Sequence, residues 1–159
     1  MRIKTILNNK LIYIIFICVL IDQIIKVIIN NYVSSSITII KNFFYITNAY
    51  NYGGAWSILY GKRILFIIIT LILIYLIYKI FIKDNKLSNK DNIIYGMLLG
   101  GTTGNLFDRI FRGYVIDYLD FYIFGYDYPV FNFADMLIVI SVLFIIIKLI
   151  RGDKSENRS

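Results

Sequence analysis

At 159 residues the chain has the length of one ordinary domain, but 58% of its residues are hydrophobic, only 17% are charged, and its mean hydropathy is +0.69. A soluble domain of this size cannot bury that much apolar side chain, so the composition predicts an integral membrane protein. The chain has no histidine and a single cysteine, Cys18, which excludes histidine-dependent nucleophiles, histidine-ligated metals and an intrachain disulfide.

Four apolar stretches have about the length, ~20 residues, that a helix needs to cross a ~30 Å hydrocarbon layer. They are residues 11–29, 64–82, 93–110 and 131–150, and the glycine-rich third stretch is the one that hydropathy supports least. We therefore expect a single membrane domain over residues 1–151 with four transmembrane helices. Residues 152–159 are polar and are expected to form a disordered cytoplasmic tail.

The first stretch carries polar residues that distinguish it from a cleaved signal peptide. Asp22, Gln23 and Lys26 interrupt the apolar run, and no A-x-A-like cleavage site follows it, so we expect an uncleaved span. Asp22 and Lys26 are four residues apart and share one face of a helix, which predicts an internal ion pair that positions the span.

Two segments between the spans are expected to lie on the outer side. Residues 30–63 alternate β-branched, aromatic and small polar side chains, notably at 36–39 and 43–47, which favours short strands on the membrane surface. Residues 112–130 are dense in tyrosine, phenylalanine and aspartate. The sequence therefore places short strands and interfacial aromatic residues next to the helices.

The third stretch has small residues at a fixed spacing. Gly96, Gly100 and Gly104 recur every four residues, which lets another helix approach closely, so we expect them to pack against a neighbouring span. This pattern lacks the preceding strand and the Lys-Ser/Thr of a nucleotide-binding loop. Polar side chains follow at three- and four-residue intervals and form one stripe at the outer end of the helix: Asn105, Asp108, Arg109 and Arg112.

Two aspartates are expected to meet at the outer ends of the last two spans. Asp117 follows the third span, and Asp135 lies ~6 Å inside the fourth, taking ~1.5 Å per residue from Phe131. Two carboxyls close together in a poorly solvated place share a proton, the arrangement by which aspartic proteases activate water. Asp120 and Asp127 are rival members of such a pair, and Asp117 and Asp135 could instead be a solvated loop acid and a helix cap.

The distribution of basic residues predicts the orientation. Eleven of the 17 lysines and arginines would lie on one side of a four-span protein, which by the positive-inside rule is the cytoplasmic side. They are Arg2, Lys4, Lys10, Lys79, Lys83, Lys86, Lys90, Lys148, Arg151, Lys154 and Arg158. Both termini are therefore expected in the cytoplasm, and the net charge of +7 reflects topology and anionic lipid instead of nucleic acid.

Five motifs together resemble one known family. They are Asp22-Gln23 with Lys26, NYGGAWS at 51–57, GGTTGNLFDR at 100–109, GYVIDY at 113–118 and FNFAD at 131–135. In this order, and over nearly the whole chain, they are similar to those of the lipoprotein signal peptidases (signal peptidase II), the bacterial aspartyl protease family A8. Gly54, Trp56 and Tyr118 stand where the family often has Ala, Phe and Phe, which concerns packing and not the chemistry.

The resemblance implies a fold and an activity. The fold is an all-α membrane protein of four transmembrane helices with a small extracytoplasmic β-rich cradle and a short periplasmic helix. The activity is that of an intramembrane aspartic endopeptidase at the outer leaflet of the bacterial cytoplasmic (inner) membrane. It removes the signal peptide of a prolipoprotein just before its diacylglyceryl-modified cysteine. The expected partners are this substrate and membrane lipid. We expect that the protein binds no nucleic acid, requires no protein partner and uses no cofactor or metal.

The resemblance also implies which residues form the site. Asp117 and Asp135 would be the catalytic pair, which selects them over Asp120 and Asp127. The residues that would line or order the site are Asn51, Gly53, Asn105, Arg109 and Asn132.

Three other functions are compatible with parts of the sequence. Ser57 and Lys62 could form a Ser-Lys peptidase, although nothing in this loop indicates a desolvated lysine. Tyr126-Asp127 resembles one motif of presenilin-type proteases, but the sequence lacks their Gly-x-Gly-Asp motif. A small transporter or an assembly factor would use Asp22, Lys26 and Asp135 as an ion path. Against it, the acids cluster at one leaflet and no inverted repeat is found.

Overall fold

Four long helices form the frame of the molecule in the computed structural model, which describes residues 9–54, 58–83 and 85–156. They are α1 (Asn9–Tyr32), α2 (Arg63–Ile77), α3 (Asn89–Phe111) and α4 (Phe133–Glu156), and a π-helical turn, Tyr78–Ile82, continues α2. Among the described residues, three segments are long and apolar enough to cross a membrane, namely Asn9–Tyr32, Arg63–Ile82 and Phe133–Arg151. The helices therefore coincide with the four predicted stretches, and three of them have the composition of spans.

Two helices differ from simple apolar rods. α3 is long enough at 23 residues, but its glycines and polar side chains lower its hydropathy, and a capping box of Ser88 and Asp91 starts it. α4 continues to Glu156, past the predicted end of the fourth span at Ile150, so the first part of the predicted tail is helical. The described residues contain no separate short helix beside these four, and the periplasmic helix stays a prediction.

The glycines of α3 make its contact with α1. A Cβ added at positions 96, 100 and 104 would lie 2.5 Å from side-chain atoms of Ile14, Cys18 and Asp22, respectively. Both series advance by four residues in the same direction, so α1 and α3 pack parallel to each other. The close helix contact predicted from the glycine spacing is therefore confirmed.

The other two helices run antiparallel to α3. Arg63, at the start of α2, donates hydrogen bonds of 2.6 Å to the backbone carbonyls of Arg109 and Ile110 at the end of α3. Lys148, near the end of α4, pairs with Asp91 at the start of α3. The chain thus passes along the bundle four times in alternating directions. The start of α1 and the end of α4 therefore lie at the same end of the bundle.

A small antiparallel sheet covers the opposite end of the bundle. Its strands are β1 (Ile37–Ile40), β2 (Phe44–Asn51), β3 (Val115–Ile123) and β4 (Tyr126–Asp127), in the order β1-β2-β3-β4. The short strands predicted before the second helix are therefore confirmed. β2 and β3 pair directly although two helices separate them in sequence, with Ala49 opposite Asp117 and Asn51 opposite Val115. The sheet packs on α1 through one buried apolar cluster, Ile29, Val33, Ile116 and Tyr118.

Candidate active site

Asp117 lies on β3 where the sheet meets the helices, and it is 4% exposed. Its strand neighbours Ile116 and Tyr118 are buried as well, so the strand is fixed by packing on both faces. Two side-chain amides hold the carboxyl group. Asn51 Nδ2 donates to Oδ2 at 2.9 Å, and Asn132 Nδ2 donates to Oδ1 at 2.6 Å. Each carboxyl oxygen therefore has one neutral donor.

Asp135 lies in the first turn of α4, and Asn132 stands just before the helix. The Asp135 N–H donates to Asn132 Oδ1 at 3.0 Å, and the Asn132 N–H donates to Asp135 Oδ2 at 3.1 Å. This reciprocal pair satisfies backbone donors that the start of a helix leaves unpaired. The helix begins at Phe133 because Phe131 still pairs with Leu119 of β3. Asp135 is therefore nearer to the helix start than the sequence predicted.

Asn132 and Asn105 connect the two carboxyl groups. The fully buried Asn132 donates from Nδ2 to Asp117 and also, at 3.2 Å, to Asn105 Oδ1. Asn105 Nδ2 donates to Asp135 Oδ1 at 2.8 Å, and Asn105 Oδ1 accepts from Lys26 Nζ at 2.9 Å. One network of amides thus fixes both aspartates relative to α1 and α3.

The predicted Asp22–Lys26 ion pair is present and belongs to a larger cluster between α1 and α3. Lys26 Nζ lies 2.9 Å from Asp22 Oδ2 and 2.7 Å from Asp108 Oδ2, and all three side chains are 0% exposed. Arg112 pairs with the other oxygen of Asp108, and Gln23 bonds to three members of the cluster. The cluster contains two acidic and two basic side chains, so its formal charges balance, and Lys26 also connects it to Asn105.

Arg109 ties the loop after β2 to the helices. Its guanidinium donates to the carbonyl oxygens of Gly53 at 3.1 Å and Asn105 at 3.4 Å, and it lies 4.9 Å from the centre of the Phe66 ring. The Gly53 N–H donates to Asn51 Oδ1 at 2.9 Å, which turns the other end of that amide toward the buried carboxyl. Within the described ranges Arg109 forms no ion pair with an aspartate, so it positions the loop.

A cavity of about 530 Å³ opens over these groups. Asp117 and Asp135 both line it, beside Asn51, Asn105 and Arg109. The rest of its wall is largely apolar and comes from Gly54 and Val115, from residues 128–131 and from Met136, Val139 and Ile140 of α4. The volume is typical of pockets that enclose a ligand, and its polar groups converge on the two carboxyls.

The cavity changes the ionisation of Asp117. Burial, assisted by the charge of Asp135, raises the pKa of Asp117 to about 7, although the hydrogen bonds from Asn51 and Asn132 stabilise its ionised form. Asp117 therefore keeps its proton at a pH at which an exposed carboxyl is already ionised. The arrangement can therefore supply one acid and one base to a bound substrate.

The other candidate groups lie elsewhere. Asp120 lines a different cavity on the outer part of the sheet, and Asp127 is exposed on β4. Lys62 is exposed just before α2, and its suggested partner Ser57 lies outside the described residues. By contrast, both predicted catalytic aspartates and all five residues predicted to line or order the site belong to one connected network.

Three contacts of this site could not be found from sequence spacing. Lys26 bonds to Asn105, which lies 79 residues later in the chain. The Tyr118 hydroxyl accepts from the Phe133 N–H at 3.1 Å and so ties β3 to the first turn of α4. Arg63 binds the last carbonyls of α3, as described above. In each contact the two partners are distant in sequence, so no local sequence pattern predicts that they meet.

Comparisons with known proteins single out one family. A family model described as signal peptidase (SPase) II matches residues 14–151. A relative named lipoprotein signal peptidase from Staphylococcus haemolyticus is 40% identical over 140 residues, which cover 87% of this chain and 89% of the relative. A relative of the same name from Staphylococcus aureus is 39% identical over 141 residues, which cover 87% of this chain and 86% of the relative. Two solved structures, each described as a bacterial membrane enzyme determined by the in meso method, match with TM-scores of 0.84 and 0.78 at 37% and 39% identity. They cover 94% and 90% of this chain and 92% and 94% of their own.

Proposed function

Because this chain belongs to the signal peptidase II family and is a membrane protease, we propose that it is an intramembrane aspartic endopeptidase acting on prolipoproteins. It would remove the signal peptide by cutting just before the diacylglyceryl-modified cysteine. One observation carries the proposal: Asp117 and Asp135 line the same cavity and are joined through the side chains of Asn132 and Asn105.

In the proposed reaction Asp117 holds the proton at rest and Asp135 is ionised. Asp135 accepts a backbone N–H at the start of α4, where the helix dipole favours negative charge. Asp135 takes a proton from water as the water oxygen attacks the scissile carbonyl carbon, and Asp117 gives its proton to the carbonyl oxygen. The resulting diol then collapses. The C–N bond breaks, the leaving nitrogen receives the proton from Asp135, and a diol hydroxyl returns a proton to Asp117.

The surrounding residues have supporting roles in this proposal. Asn51, Asn105 and Asn132 hold the two carboxyls in position with neutral amide donors, which add no positive charge to the site. Arg109 keeps the loop at Gly53 in place over the cavity. The two carboxyls and water supply the acid, the base and the nucleophile, and the reaction needs no metal or cofactor.

The proposal also includes an orientation in the bacterial inner membrane. α3 would be a fourth span, residues 1–151 would act as one domain, and both ends would lie in the cytoplasm. The alternating helix directions support this, and basic residues mark that end of the bundle: Lys10 donates to Asn89, and Lys148 pairs with Asp91. The sheet and cavity would then lie at the outer leaflet. A lipid-modified precursor could keep its acyl chains in the bilayer while its scissile bond meets the aspartates.

A cleavage assay with matched variants tests the assignment. The enzyme is offered a diacylglyceryl-modified precursor in a bilayer, and wild type is compared with Asp117→Asn and Asp135→Asn. Each change should lower the rate by on the order of 10²–10⁴-fold, because it removes a general acid or base. Asp120→Asn and Asp127→Asn are the controls, since both carboxyls lie outside the cavity, and they should cleave at the wild-type rate.

The same assay can exclude the proposal. Normal cleavage by either cavity variant, or an equal loss in a control, would show that the pair is assigned wrongly. Loss of cleavage in Ser57→Ala alone would favour a Ser-Lys mechanism. Ion flux that depends on Asp22, without any peptidase activity, would favour a transporter.

A further inference from the structure

A second groove begins at the active site and runs along the helices toward the end of the bundle that is far from the sheet. It lies between α2 and α4 with α3 as its floor, and its volume is about 440 Å³. Asn105 and Arg109 line both this groove and the catalytic cavity, so the two are continuous. We call it the α2–α4 groove. Its walls and floor include Thr70 and Leu73 of α2, Leu98 and Thr102 of α3, and Ile138 and Val142 of α4.

The groove continues the helix faces that carry the site. On α3, Thr102 and Leu98 lie seven and eleven residues before Arg109. On α4, Val142 lies seven residues after Asp135. These intervals keep side chains on one face of a helix. The distance from Arg109 to Leu98 along α3 is ~16 Å at ~1.5 Å per residue, about half of a ~30 Å hydrocarbon layer.

The groove is open and apolar. α2 has no buried side chain, and Leu73 and Val142, on opposite walls, are 48% and 41% exposed, so no helix of the described chain fills the space between them. The Thr102 hydroxyl already donates to the Leu98 carbonyl at 2.7 Å, so it needs no hydrogen-bond acceptor from a molecule bound in the groove. Small side chains such as Thr70 and Thr102 let a helix approach closely.

We propose that the α2–α4 groove binds the apolar helix of the substrate's signal peptide, an inference that rests on the proposed function. In a precursor cut at the cavity, the apolar segment precedes the scissile bond and must run from the aspartates toward the cytoplasmic side, which is the direction of the groove. Rows of aliphatic side chains at helical spacing on two walls form the surface into which a third helix packs. The acyl chains follow the scissile bond, and Val139 and Ile140 on another face of α4 leave them a separate apolar wall.

A pair of tryptophan substitutions tests this assignment with two substrates. Val142→Trp fills the groove, whereas Leu143→Trp, at a neighbouring side chain that is 54% exposed and does not line the groove, is the matched control. One substrate is a full precursor with a leucine-rich apolar helix, and the other is a short diacylglyceryl peptide that spans only the scissile bond. In Val142→Trp we expect kcat/KM for the precursor, relative to the short peptide, to fall on the order of tenfold or more. In Leu143→Trp this ratio should not change.

A cross-linking experiment measures the contact directly. In a Cys18→Ala background, which keeps the Cβ that packs on Gly100, single cysteines replace Val142 or Leu143. When a mild thiol oxidant is added, Val142→Cys should form a disulfide with a cysteine placed in the precursor's apolar helix, and Leu143→Cys should not.

Several results would overturn the inference. One is an equal loss of kcat/KM for both substrates in Val142→Trp, and another is cross-linking from position 143 alone. A third is a loss of kcat/KM that depends on the acyl chain length of the short peptide, which would show that the groove binds the lipid. A disulfide between two enzyme molecules carrying Val142→Cys, formed without precursor, would show that a second copy covers the groove. Failure of the proposed function looks different, because wild type would then cleave neither substrate.

Discussion

Lys26 donates a hydrogen bond of 2.9 Å to Oδ1 of Asn105, and both side chains are buried. The other end of the Asn105 amide donates to Asp135. A cation on the first helix is therefore joined to the fourth helix through one amide side chain. Since the same ammonium also binds two buried carboxylates, its loss should affect both the fold and the site.

Lys26→Met should destabilise the protein and slow cleavage. The change keeps the apolar stem of the side chain but leaves Asp22 and Asp108 with one cation, Arg112, between them. Breaking a buried ion pair in this way costs about 3–5 kcal/mol. Thermal unfolding in detergent and single-turnover cleavage measure the two effects.

A second substitution provides the control. The double variant Lys26→Met with Asp22→Asn removes one charge of each sign, so it should unfold at a higher temperature than Lys26→Met alone. If the double variant is less stable than the single one, the charges of this cluster are not what holds α1 and α3 together.

Asn132 performs two tasks that substitutions can separate. Its Oδ1 caps the start of α4, and its Nδ2 donates to Asp117. Asn132→Ser keeps a capping oxygen but loses the contact with Asp117, so stability should change little while the cleavage rate falls on the order of 10²-fold. Asn132→Ala should show the same loss of rate and about 1 kcal/mol less stability. A serine variant with normal cleavage would show that the Asp117 contact is dispensable.

The pKa of Asp117 predicts the pH dependence of cleavage. Since the proposed acid must be protonated and its pKa is raised to about 7, kcat/KM should fall as the pH rises through about 7. Asn51→Ala removes a hydrogen bond that favours the ionised form, so this descending limb should move to higher pH. An unmoved limb in Asn51→Ala would mean that another group titrates.

The same shift has a consequence for stability. The folded-state pKa lies above the ordinary value of 3.8, so the folded protein binds this proton more tightly than the unfolded chain. Its contribution to stability is complete below about 3.8 and is lost progressively as the pH rises from there to about 7. Unfolding temperatures of the wild type should fall over this range, and those of Asp117→Asn should fall less.

Gly101 contacts α4, and its replacement by alanine should lower the stability of the protein, although this change in a helix ordinarily raises it. A Cβ at Gly101 would lie 2.5 Å from the backbone oxygen of Ala134, next to Asp135. Replacing a helical glycine by alanine ordinarily stabilises a helix by about 0.5–1 kcal/mol, but here the helices must separate. Gly101→Ala should therefore lower both the unfolding temperature and the cleavage rate. Thr103→Ala, on the same helix, is the control and should leave both nearly unchanged.

Much of this fold is written in local patterns of the sequence. Apolar length predicts the helices, alternation before the second helix predicts β1 and β2, and the spacing of Gly96, Gly100 and Gly104 predicts a close helix contact. Asp22 and Lys26 are one helical turn apart, and local geometry suffices to predict their ion pair. These features depend on neighbours within a few residues, so the sequence alone determines them.

The tertiary structure decided which distant groups meet. β2 pairs with β3 across two intervening helices, and this pairing, with the start of α4 at Phe133, brings Asn51, Asp117 and Asp135 to one cavity. The polar stripe of α3 is divided in the same way, because Asp108 pairs with Lys26 of α1, whereas Asn105 bonds both to Lys26 and to Asp135. The groove between α2 and α4 likewise exists only because both helices pack on α3 without closing over it. Such contacts follow from side-chain packing between elements far apart in the chain. The periodicity of one segment does not predict which other segment it will pack against.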